Sequence, residues 1–325
     1  MNMSTGLGLD AGGTSTRWAL ADAHGTLLRE GGVAGLTALM MGNEAGRQQV
    51  RAVLAGLAHA LAAQHDIPAP SQLVLGITGY SEDEALRSQL QSLLAELFQL
   101  PQNAVTVLAD VELGYRAAFA PGAGYLVYAG TGSIAAYVDA GGAFHRVGGR
   151  GSLLGDPGSG HWIACEAMRG IWRQEDEQPG GWRDSALAQS VFARVGGSDW
   201  PRSRDFIHQS SRGEVGTLAL AVAATADSDA AALDILQRAG TQLAQLALTF
   251  TRRFGRKPVL FAGRVLELHP CVAQAARAAL PADTPMRCET LQAHHGAARL
   301  AAQGHNRQAP VSPTGADMTP KRSTP

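Results

Sequence analysis

The sequence predicts an α/β protein built from a duplicated lobe, with a cleft between the two copies. The 325 residues are enough for two domains at about 150 residues each, and each domain could bury its own core. A pattern of hairpin, third strand, helix, strand and helix occurs twice in succession along the chain. Glycine contributes 39 of the 325 residues, 39/325 = 12%, against an average of about 7%. It clusters at the turns of both hairpins.

The first copy is predicted from alternating apolar residues in its strands and from apolar residues at helical spacing in its helices. Its elements are strands at 6–10, 15–21 and 26–33, a helix over 44–64, a strand at 73–78, a helix from the capping box Ser81-Glu82-Asp83-Glu84 to Pro101, a strand at 104–110 and a helix over about 111–119.

The second copy repeats this order around a longer helical insert. Its predicted elements are strands at 124–129, 134–138 and about 143–148, a helix over about 161–173, a mainly helical stretch to 254, a strand at 258–262, a helix near 267–279, a short strand near 285–288 and a helix near 293–303. The residues that follow are rich in Pro, Ser and Thr and show no periodicity, so 305–325 is predicted to be a disordered tail.

Composition argues against several classes of protein. Lys and Arg total 27 against 28 Asp and Glu, and these charges are scattered, so the basic stripe that nucleic acid requires is missing. No apolar run approaches the roughly 18 residues of a membrane span, and the first ten residues lack the basic region of a signal peptide. We therefore expect a soluble, cytoplasmic protein without nucleic-acid or membrane partners. Cys165, Cys271 and Cys288 lack zinc-site spacing and are expected to be reduced, buried thiols.

The two glycine-rich turns are the main functional signal. A P-loop needs a Gly-Lys-Ser/Thr sequence, and neither Lys257 nor Lys321 lies in one. Residues 6–11 match a loose dinucleotide-binding pattern, but only five residues precede Gly6, too few for the strand that this motif must follow. Either turn alone could be a tight hairpin that needs positive φ. Their recurrence at matching positions favours backbone N–H groups that bind a polyphosphate from both walls of the cleft.

An ordered set of motifs covers nearly the whole chain. It consists of Leu9-Asp10-Ala11-Gly12-Gly13-Thr14-Ser15-Thr16-Arg17, Ala109-Asp110, Ala129-Gly130-Thr131-Gly132-Ser133, Gly148-Gly149-Arg150-Gly151 and Gly155-Asp156-Pro157-Gly158-Ser159-Gly160. This set resembles the N-acetylglucosamine and glucosamine kinases of the BadF/BadG/BcrA/BcrD ATPase family. The resemblance implies the actin-like ATPase fold, with ribonuclease H-like lobes at 1–120 and 121–304 and a tail at 305–325.

The resemblance also implies a site for ATP and Mg²⁺. Asp10 would hold Mg²⁺ through water, since this ion keeps several waters and needs only one or two protein carboxylates; the alternative for Asp10 is a turn cap. The residues implied to bind the nucleotide are Gly12, Gly13, Thr14, Gly130, Thr131, Gly132, Ser133 and Gly263.

Asp110 lies where these kinases keep their catalytic base, at a strand-to-helix junction. Its alternative is a helix N-cap, a role that Asp often fills, although capping and catalysis are compatible. For Asp156 the alternative to sugar contact is a turn, because Asp-Pro-Gly forms turns by itself. The residues implied to contact the sugar are Thr37, Asp110, Gly149, Arg150, Gly151 and Asp156.

Three residues depart from the family's pattern. Ala38 stands where many relatives have Asn, Arg150 replaces a common Trp, and Arg264 replaces the second glycine of a pair near the nucleotide. These changes leave the identity of the sugar open. The resemblance implies an ATP-dependent amino-sugar kinase that transfers the γ-phosphoryl group to a hydroxyl, expected to be O6, of N-acetylglucosamine, glucosamine or a related sugar. Relatives are often dimers, but no residue here specifies a homodimer interface.

Two other functions fit the same fold. One is an ATPase that activates an electron-transfer enzyme; such activators bind an iron–sulfur cluster with cysteines near the second phosphate loop, and residues 123–151 contain none. The other is a nucleotide-binding sensor that has lost catalysis, suggested by Ala38 and Arg264. The intact Asp10 and Asp110 argue against the sensor.

Overall fold

The computed structural model of the protein describes residues 5–64, 68–80 and 83–304. Within them the chain forms two five-stranded sheets flanked by helices, which confirms the predicted two-lobed α/β fold; the predicted tail lies outside the described residues. The strands are β1 (Gly6–Ala11), β2 (Ser15–Ala21), β3 (Leu27–Ala34), β4 (Gln72–Ile77), β5 (Val105–Ala109), β6 (Tyr125–Ala129), β7 (Ser133–Val138), β8 (Phe144–Gly148), β9 (Val259–Ala262) and β10 (Met286–Glu289).

The helices alternate with the strands in the order that the sequence predicts. They are α1 (Glu44–Ala62), α2 (Glu84–Phe98), α3 (Asp110–Ala118), α4 (Gly160–Glu177), α5 (Ala186–Val195), α6 (Trp200–Gln209), α7 (Arg212–Gly216), α8 (Ala219–Thr225), α9 (Ala230–Phe254), α10 (Pro270–Ala279) and α11 (Ala293–Ala302). The helical insert of the second lobe, residues 174–254, thus consists of the end of α4 and of α5 to α9.

The two sheets share one strand order and one pattern of directions. The first sheet has the order β3-β2-β1-β4-β5, and the second has β8-β7-β6-β9-β10. In each sheet the first three strands form an antiparallel meander, and the last two run parallel to the first strand on its other side. The repeat in the sequence is therefore a duplication of structure.

Both faces of the first sheet are buried, as is usual for parallel strands that helices cover. In β4, Leu73 and Leu75 contact a core formed with α1 and α2. Val74 points to the opposite face and packs with Leu113 of α3 and with alanines of α11. Burial on both faces explains why this strand reads as a continuous apolar run.

The two lobes exchange their last helices. Helix α3, which ends the first copy, packs against β6 and β7 of the second sheet as well as against its own sheet. Helix α11, which ends the second copy, packs against β1, β2 and β4 of the first sheet and against α3. The predicted division near residue 120 separates the strands of the two sheets, but a helix from each half covers the other half's sheet.

The glycines of the loose dinucleotide-like pattern have a packing role. A Cβ added at Gly6 would lie 2.0 Å from the backbone nitrogen of Ala302, and one at Gly8 would lie 2.1 Å from that of Ala298. These positions must therefore be glycine for α11 to lie directly on β1. The structure agrees with the sequence argument that this pattern is no nucleotide motif.

Three predicted boundaries shift for local reasons. The cap of α2 is Asp83, whose side chain accepts a hydrogen bond from the Leu86 N–H; Ser81 and Glu82 lie outside the described residues. Strand β5 ends at Ala109, so Asp110 begins α3 rather than ending the strand, consistent with the preference for carboxylates in a first helical turn. The helix predicted near 267–279 begins only at Pro270, because proline is favoured in the first turn.

Among the described residues, no helix combines the length and the apolar character that crossing a bilayer would require.

Candidate functional site

The first glycine turn is built by close backbone packing. The Gly12 N–H donates to the Ser15 carbonyl at 3.1 Å, and the Gly12 carbonyl accepts from the Leu36 N–H at 3.0 Å. A Cβ at Gly35 would lie 2.3 Å from the Gly13 carbonyl oxygen, so the segment 35–38, called here the sugar loop because it contains Thr37, rests directly on the predicted phosphate loop. Gly13 and Thr14 are exposed at the tip, and within the described residues their N–H groups donate no hydrogen bond. The N–H groups of Gly13 and Thr14 are therefore available to bind an anion.

The sugar loop is tied to the ends of β1 and β4 through Thr78, a residue that the sequence analysis missed. The Thr78 N–H donates to the Ala11 carbonyl at 3.0 Å, and the Thr78 carbonyl accepts from the Ala38 N–H at 2.9 Å. Ala38 is buried. The Thr37 methyl group would lie 3.6 Å from a Cβ at Gly13. The structure therefore brings Thr37 next to the first phosphate loop.

Asp10 lies near the end of β1, directly opposite Arg17 on β2. Burial first and the charge of Asp110 second raise the pKa of Asp10 to about 6, and Arg17 opposes both effects. Asp10 is therefore a carboxylate that its surroundings do not fully compensate. Arg17 belongs to the motif quoted above, but the sequence analysis gave it no role.

Asp110 is the first residue of α3, directly after β5, and its charge acts on Asp10 of β1. One of its carboxylate oxygens, Oδ1, accepts from the Val111 N–H at 2.8 Å. Burial raises the pKa of Asp110, while hydrogen bonds from the Thr78 side chain and from backbone N–H groups lower it. The N-cap residue of α3 is Ala109, which makes no side-chain cap hydrogen bond. The alternative that Asp110 is the N-cap of this helix is therefore wrong, because Asp110 is its first helical residue. A carboxylate with a raised pKa is a better proton acceptor.

The pair of carboxylates fits a divalent cation. Asp10 and Asp110 are partly buried carboxylates, and the charge of Asp110 raises the free energy of the ionised form of Asp10. Among the described residues the nearby cation that opposes this effect is Arg17. Hard oxygen donors are what Mg²⁺ prefers, and it needs few of them from protein. Asp10, which lies on β1 two residues before Gly12 of the first glycine turn, is the residue suited to hold the ion.

The second glycine turn joins β6 and β7 as the first joins β1 and β2. The Gly130 N–H donates to the Gly132 carbonyl at 2.9 Å, and the carbonyl groups of Gly130 and Thr131 accept from Gly160 and His161 at 2.9 and 3.2 Å. The start of α4 thus fixes this loop from behind. The N–H groups of Thr131 and Gly132 donate no hydrogen bond within the described part of the chain. The Ser133 hydroxyl donates to the Pro157 carbonyl at 2.7 Å, so its hydrogen points into the protein.

Gly263 abuts the second turn from β9. It has φ of +101°, and a Cβ there would lie 2.4 Å from the Ala129 carbonyl oxygen. Tyr128, which precedes Ala129 on β6, is half-exposed. Desolvation first and the charges of Asp10 and Asp110 second raise its pKa, and the charge of Arg264 opposes this rise. The charges of both lobes therefore act on one cleft.

The loop from Gly148 to Gly151 turns sharply beside the second sheet. Gly148, Gly149 and Gly151 have positive φ values of 76°, 64° and 81°, which glycine adopts without strain. The Gly149 N–H donates to the Ser133 carbonyl at 3.0 Å, which joins this loop to the second phosphate turn. Arg150 between them is exposed.

Asp156 is buried and has φ of +62°, an uncommon conformation for a residue other than glycine. Its side chain is 3% exposed and forms an ion pair with Arg212 of α7. A Cβ at Gly132 would lie 2.2 Å from a guanidinium nitrogen of Arg212 and 3.1 Å from Asp156 Oδ2. Asp156 and Arg212 therefore support the second phosphate turn. Sequence reasoning missed Arg212, and sugar contact by Asp156 stays a prediction.

The family model of the BadF/BadG/BcrA/BcrD ATPase family matches residues 7–280. The chain belongs to this family. The match covers both glycine turns, both aspartates and Gly263, which agrees with the resemblance seen in the motifs.

Solved structures share the fold of this family member. A provisionally named N-acetylglucosamine kinase from Chromobacterium violaceum is 23% identical, with 93% of this chain and 100% of that chain covered and a TM-score of 0.67. Another, from Porphyromonas gingivalis, is 18% identical, with 94% and 99% covered and a TM-score of 0.70. A ROK family glucokinase from Streptomyces griseus, solved with glucose and AMPPNP, is 15% identical, with 92% and 98% covered and a TM-score of 0.54. The actin-like ATPase fold is thus confirmed.

Proposed function

We propose that this protein is an ATP-dependent sugar kinase whose acceptor is an amino sugar, N-acetylglucosamine, glucosamine or a close relative, phosphorylated at O6. The observation that carries the proposal is the pair Asp10 and Asp110, carboxylates whose charges repel. They lie at a cleft that also holds two glycine turns, some of whose N–H groups have no backbone partner among the described residues. One carboxylate suits the cation and the other suits the acceptor hydroxyl. The structures described as N-acetylglucosamine kinases support the choice of acceptor.

The two glycine turns would hold the triphosphate. Free N–H groups at Gly13, Thr14, Thr131 and Gly132 would donate to phosphate oxygens from opposite walls of the cleft. Gly263, which approaches the backbone of β6 closely, would border the nucleoside. Bound Mg²⁺, held at Asp10, would offset the negative charge of the phosphate groups.

Asp110 would act as the base. As the bond between the sugar oxygen and the γ-phosphorus forms and the bond from that phosphorus to the ADP oxygen breaks, the hydroxyl proton passes to the Asp110 carboxylate. Positioning and electrostatic stabilisation supply most of the acceleration in phosphoryl transfer, and a positioned base adds about 10²–10⁴-fold. Thr78, hydrogen-bonded to Asp110, would orient the carboxylate.

The sugar would lie against Thr37, Gly149, Arg150 and Gly151. Thr37 borders the first phosphate loop and Gly149 is bonded to the second, so the acceptor would lie between the two glycine turns. Ala38 is buried and its N–H is used by Thr78. It therefore offers no polar side chain to the acceptor, and recognition of the amino or acetamido group falls to other residues.

The first test is Mg²⁺-dependent ADP release from ATP over glucosamine, N-acetylglucosamine, N-acetylmuramic acid, N-acetylmannosamine and glucose. We expect strong stimulation by one amino sugar and a 6-phosphate product by NMR. ATP binding without stimulation by any of these sugars contradicts the kinase proposal and favours a nucleotide-binding sensor.

Asp110→Asn tests the base in the same assay. We expect turnover to fall at least about 100-fold, with unchanged ATP affinity and a melting temperature no lower than that of the wild type, because burial raises the pKa of Asp110. Asp205→Asn is the control, because Asp205 is exposed on α6 and pairs with Arg204, and it should keep wild-type turnover. A near wild-type rate in Asp110→Asn would remove Asp110 from the role of base.

A further inference from the structure

A cluster of three potential metal ligands lies at the edge of the first sheet, on elements that the proposed phosphotransfer does not use. It comprises Glu30 on the edge strand β3 and His294 and His295 in the first turn of α11. One donor atom from each residue lies within 4.8 Å of the other two. Both imidazole rings direct Nε2 toward the same carboxylate oxygen of Glu30, His294 at 3.6 Å and His295 in closer contact.

These separations fit a zinc-type site. Zinc bonds to His nitrogen and carboxylate oxygen are about 2.0–2.2 Å long, so donors in a tetrahedral arrangement lie about 3.3–3.5 Å apart. Rotations of exposed side chains are enough to reach that spacing, because the Glu30 side chain is 58% exposed. Two imidazoles and a carboxylate leave a fourth position for water. Nitrogen donors suit zinc and similar transition metals rather than Mg²⁺.

His294 supplies a second, independent observation. Its side chain is only 6% exposed, and its Nδ1 has no hydrogen-bond partner among the described residues. A buried imidazole normally has both nitrogens satisfied. Within the part of the chain that the structure describes, the polar contact of His294 is its approach to Glu30 through Nε2, the atom that would bind the ion.

We propose that Glu30, His294 and His295 form a binding site for a divalent transition-metal ion of the zinc type. The ion would link β3 of the first lobe to the first turn of α11, at the point where the chain returns from the second sheet to cover the first. It would stabilise this crossing, and it is independent of the proposed kinase activity.

The test uses the full, tag-free chain, stripped with a chelator and titrated with ZnCl₂ by calorimetry. We expect one ion per chain, bound more tightly than about 100 μM, and a rise in melting temperature on addition of zinc. Substituted Co²⁺ should give the visible absorption of a four-coordinate site. Absence of binding in this range would overturn the proposal.

Variants locate the site. Glu30→Gln and His295→Ala change exposed or partly exposed side chains, and each should weaken zinc binding more than about tenfold, since even indirect partners of a metal commonly account for 10–100-fold. His145→Ala is the matched control, because His145 also pairs through Nε2 with one carboxylate, that of Asp139 at 2.9 Å, and belongs to no three-ligand cluster among the described residues. It should keep wild-type affinity. Unchanged affinity in Glu30→Gln and His295→Ala would place the ion elsewhere and contradict the proposal, whatever the kinase assay shows.

Discussion

Asp10 is charged at neutral pH at a cost to folding. Its pKa of about 6 in the folded chain, against 3.8 for the free side chain, reflects burial first and the charge of Asp110 second. Arg17 opposes these effects without cancelling them. A carboxylate kept in this way is typical of a site that a cation completes, and functional sites commonly reduce stability for this reason.

Asp10→Asn is expected to stabilise the protein by about 2–3 kcal/mol at about pH 8 without divalent cations. With its pKa raised from 3.8 to about 6, the folded chain binds more protons than the unfolded chain between these values. The wild type therefore loses stability as the pH rises through that window, and the loss is complete above it. The Asn side chain carries no charge and avoids this loss. Urea unfolding in a chelator at about pH 4 and pH 8 measures both values.

Asp22→Asn is the control with the opposite sign. The Asp22 carboxylate accepts from the N–H groups of His24 and Thr26, both at 2.9 Å, and the hydrogen bond from Thr26 leads the effects that lower its pKa. This variant should gain nothing at pH 8. If Asp10→Asn is no more stable than the wild type at pH 8, the Asp10 charge is compensated and the argument for a cation there is wrong.

At the scale of elements, helix α7 supports the second glycine turn. Although α7 is short, its N-cap Ser211 and Glu214 form a capping box, which fixes the start of the helix at Arg212. Gly216 at its end lies near Thr131, where an added Cβ would be 3.6 Å from the Thr131 methyl group. The helix thus contacts the loop through Gly216 and reaches Gly132 through Arg212.

Arg212→Met is expected to lower the free energy of unfolding by on the order of 3 kcal/mol, because it leaves a buried carboxylate unpaired. The Asp156 side chain is 3% exposed, against 38% for Arg212. Asp156→Asn added to Arg212→Met should recover most of this loss, since no unpaired charge remains. Chemical unfolding of both variants measures the effect.

Arg238→Met is the matched control for an arginine in ion pairs. Arg238 pairs with Glu166 and with the largely exposed Asp234, and such surface pairs contribute about 1 kcal/mol or less. An equal loss of unfolding free energy in Arg212→Met and Arg238→Met would show that the ion pair with Asp156 contributes no more than a surface pair, contrary to this prediction. ATP affinity should fall only in Arg212→Met, because its guanidinium borders the phosphate turn.

The sequence predicts most elements because their signals are local. Alternating apolar residues mark the strands, and Asp83, Pro101 and Gly255 mark helix ends. The insert between 174 and 254 is predicted only as a mainly helical stretch, although Gly196 at the end of α5 and Asp199 before Pro201 at the start of α6 are local signals of a break. Asp156 and Arg212 are 56 residues apart in the chain, and the sequence around either residue does not indicate that the two form a pair. The sequence motifs therefore located the glycine turns but not the groups that hold them.

At the scale of the whole molecule, the exchange of α3 and α11 makes each lobe depend on the other. Helix α3 carries Asp110 and packs on the second sheet, whereas α11 covers the first sheet. Neither sheet is fully covered by its own half of the sequence. The domain boundary near residue 120 therefore stays a useful division of the strands, and we do not expect either half to fold as a stable unit alone. Such an exchange has no local signal in the sequence.

Gly296→Ala tests this dependence where the two exchanged helices cross. A Cβ at Gly296 would lie 2.2 Å from Cβ of Ala117 in α3 and 2.8 Å from its Cα, so α3 and α11 must move apart. We expect a loss of about 1–3 kcal/mol in the free energy of unfolding, the usual cost of overpacking. We also expect one calorimetric transition at a lower temperature, because both sheets lose a covering helix together.

Gly170→Ala on α4 is the control, since an added Cβ there meets nothing within 4 Å. It should instead gain about 0.5–1 kcal/mol from helix propensity. Two separate transitions in Gly296→Ala, or a gain equal to that of Gly170→Ala, would mean that the crossing does not couple the lobes.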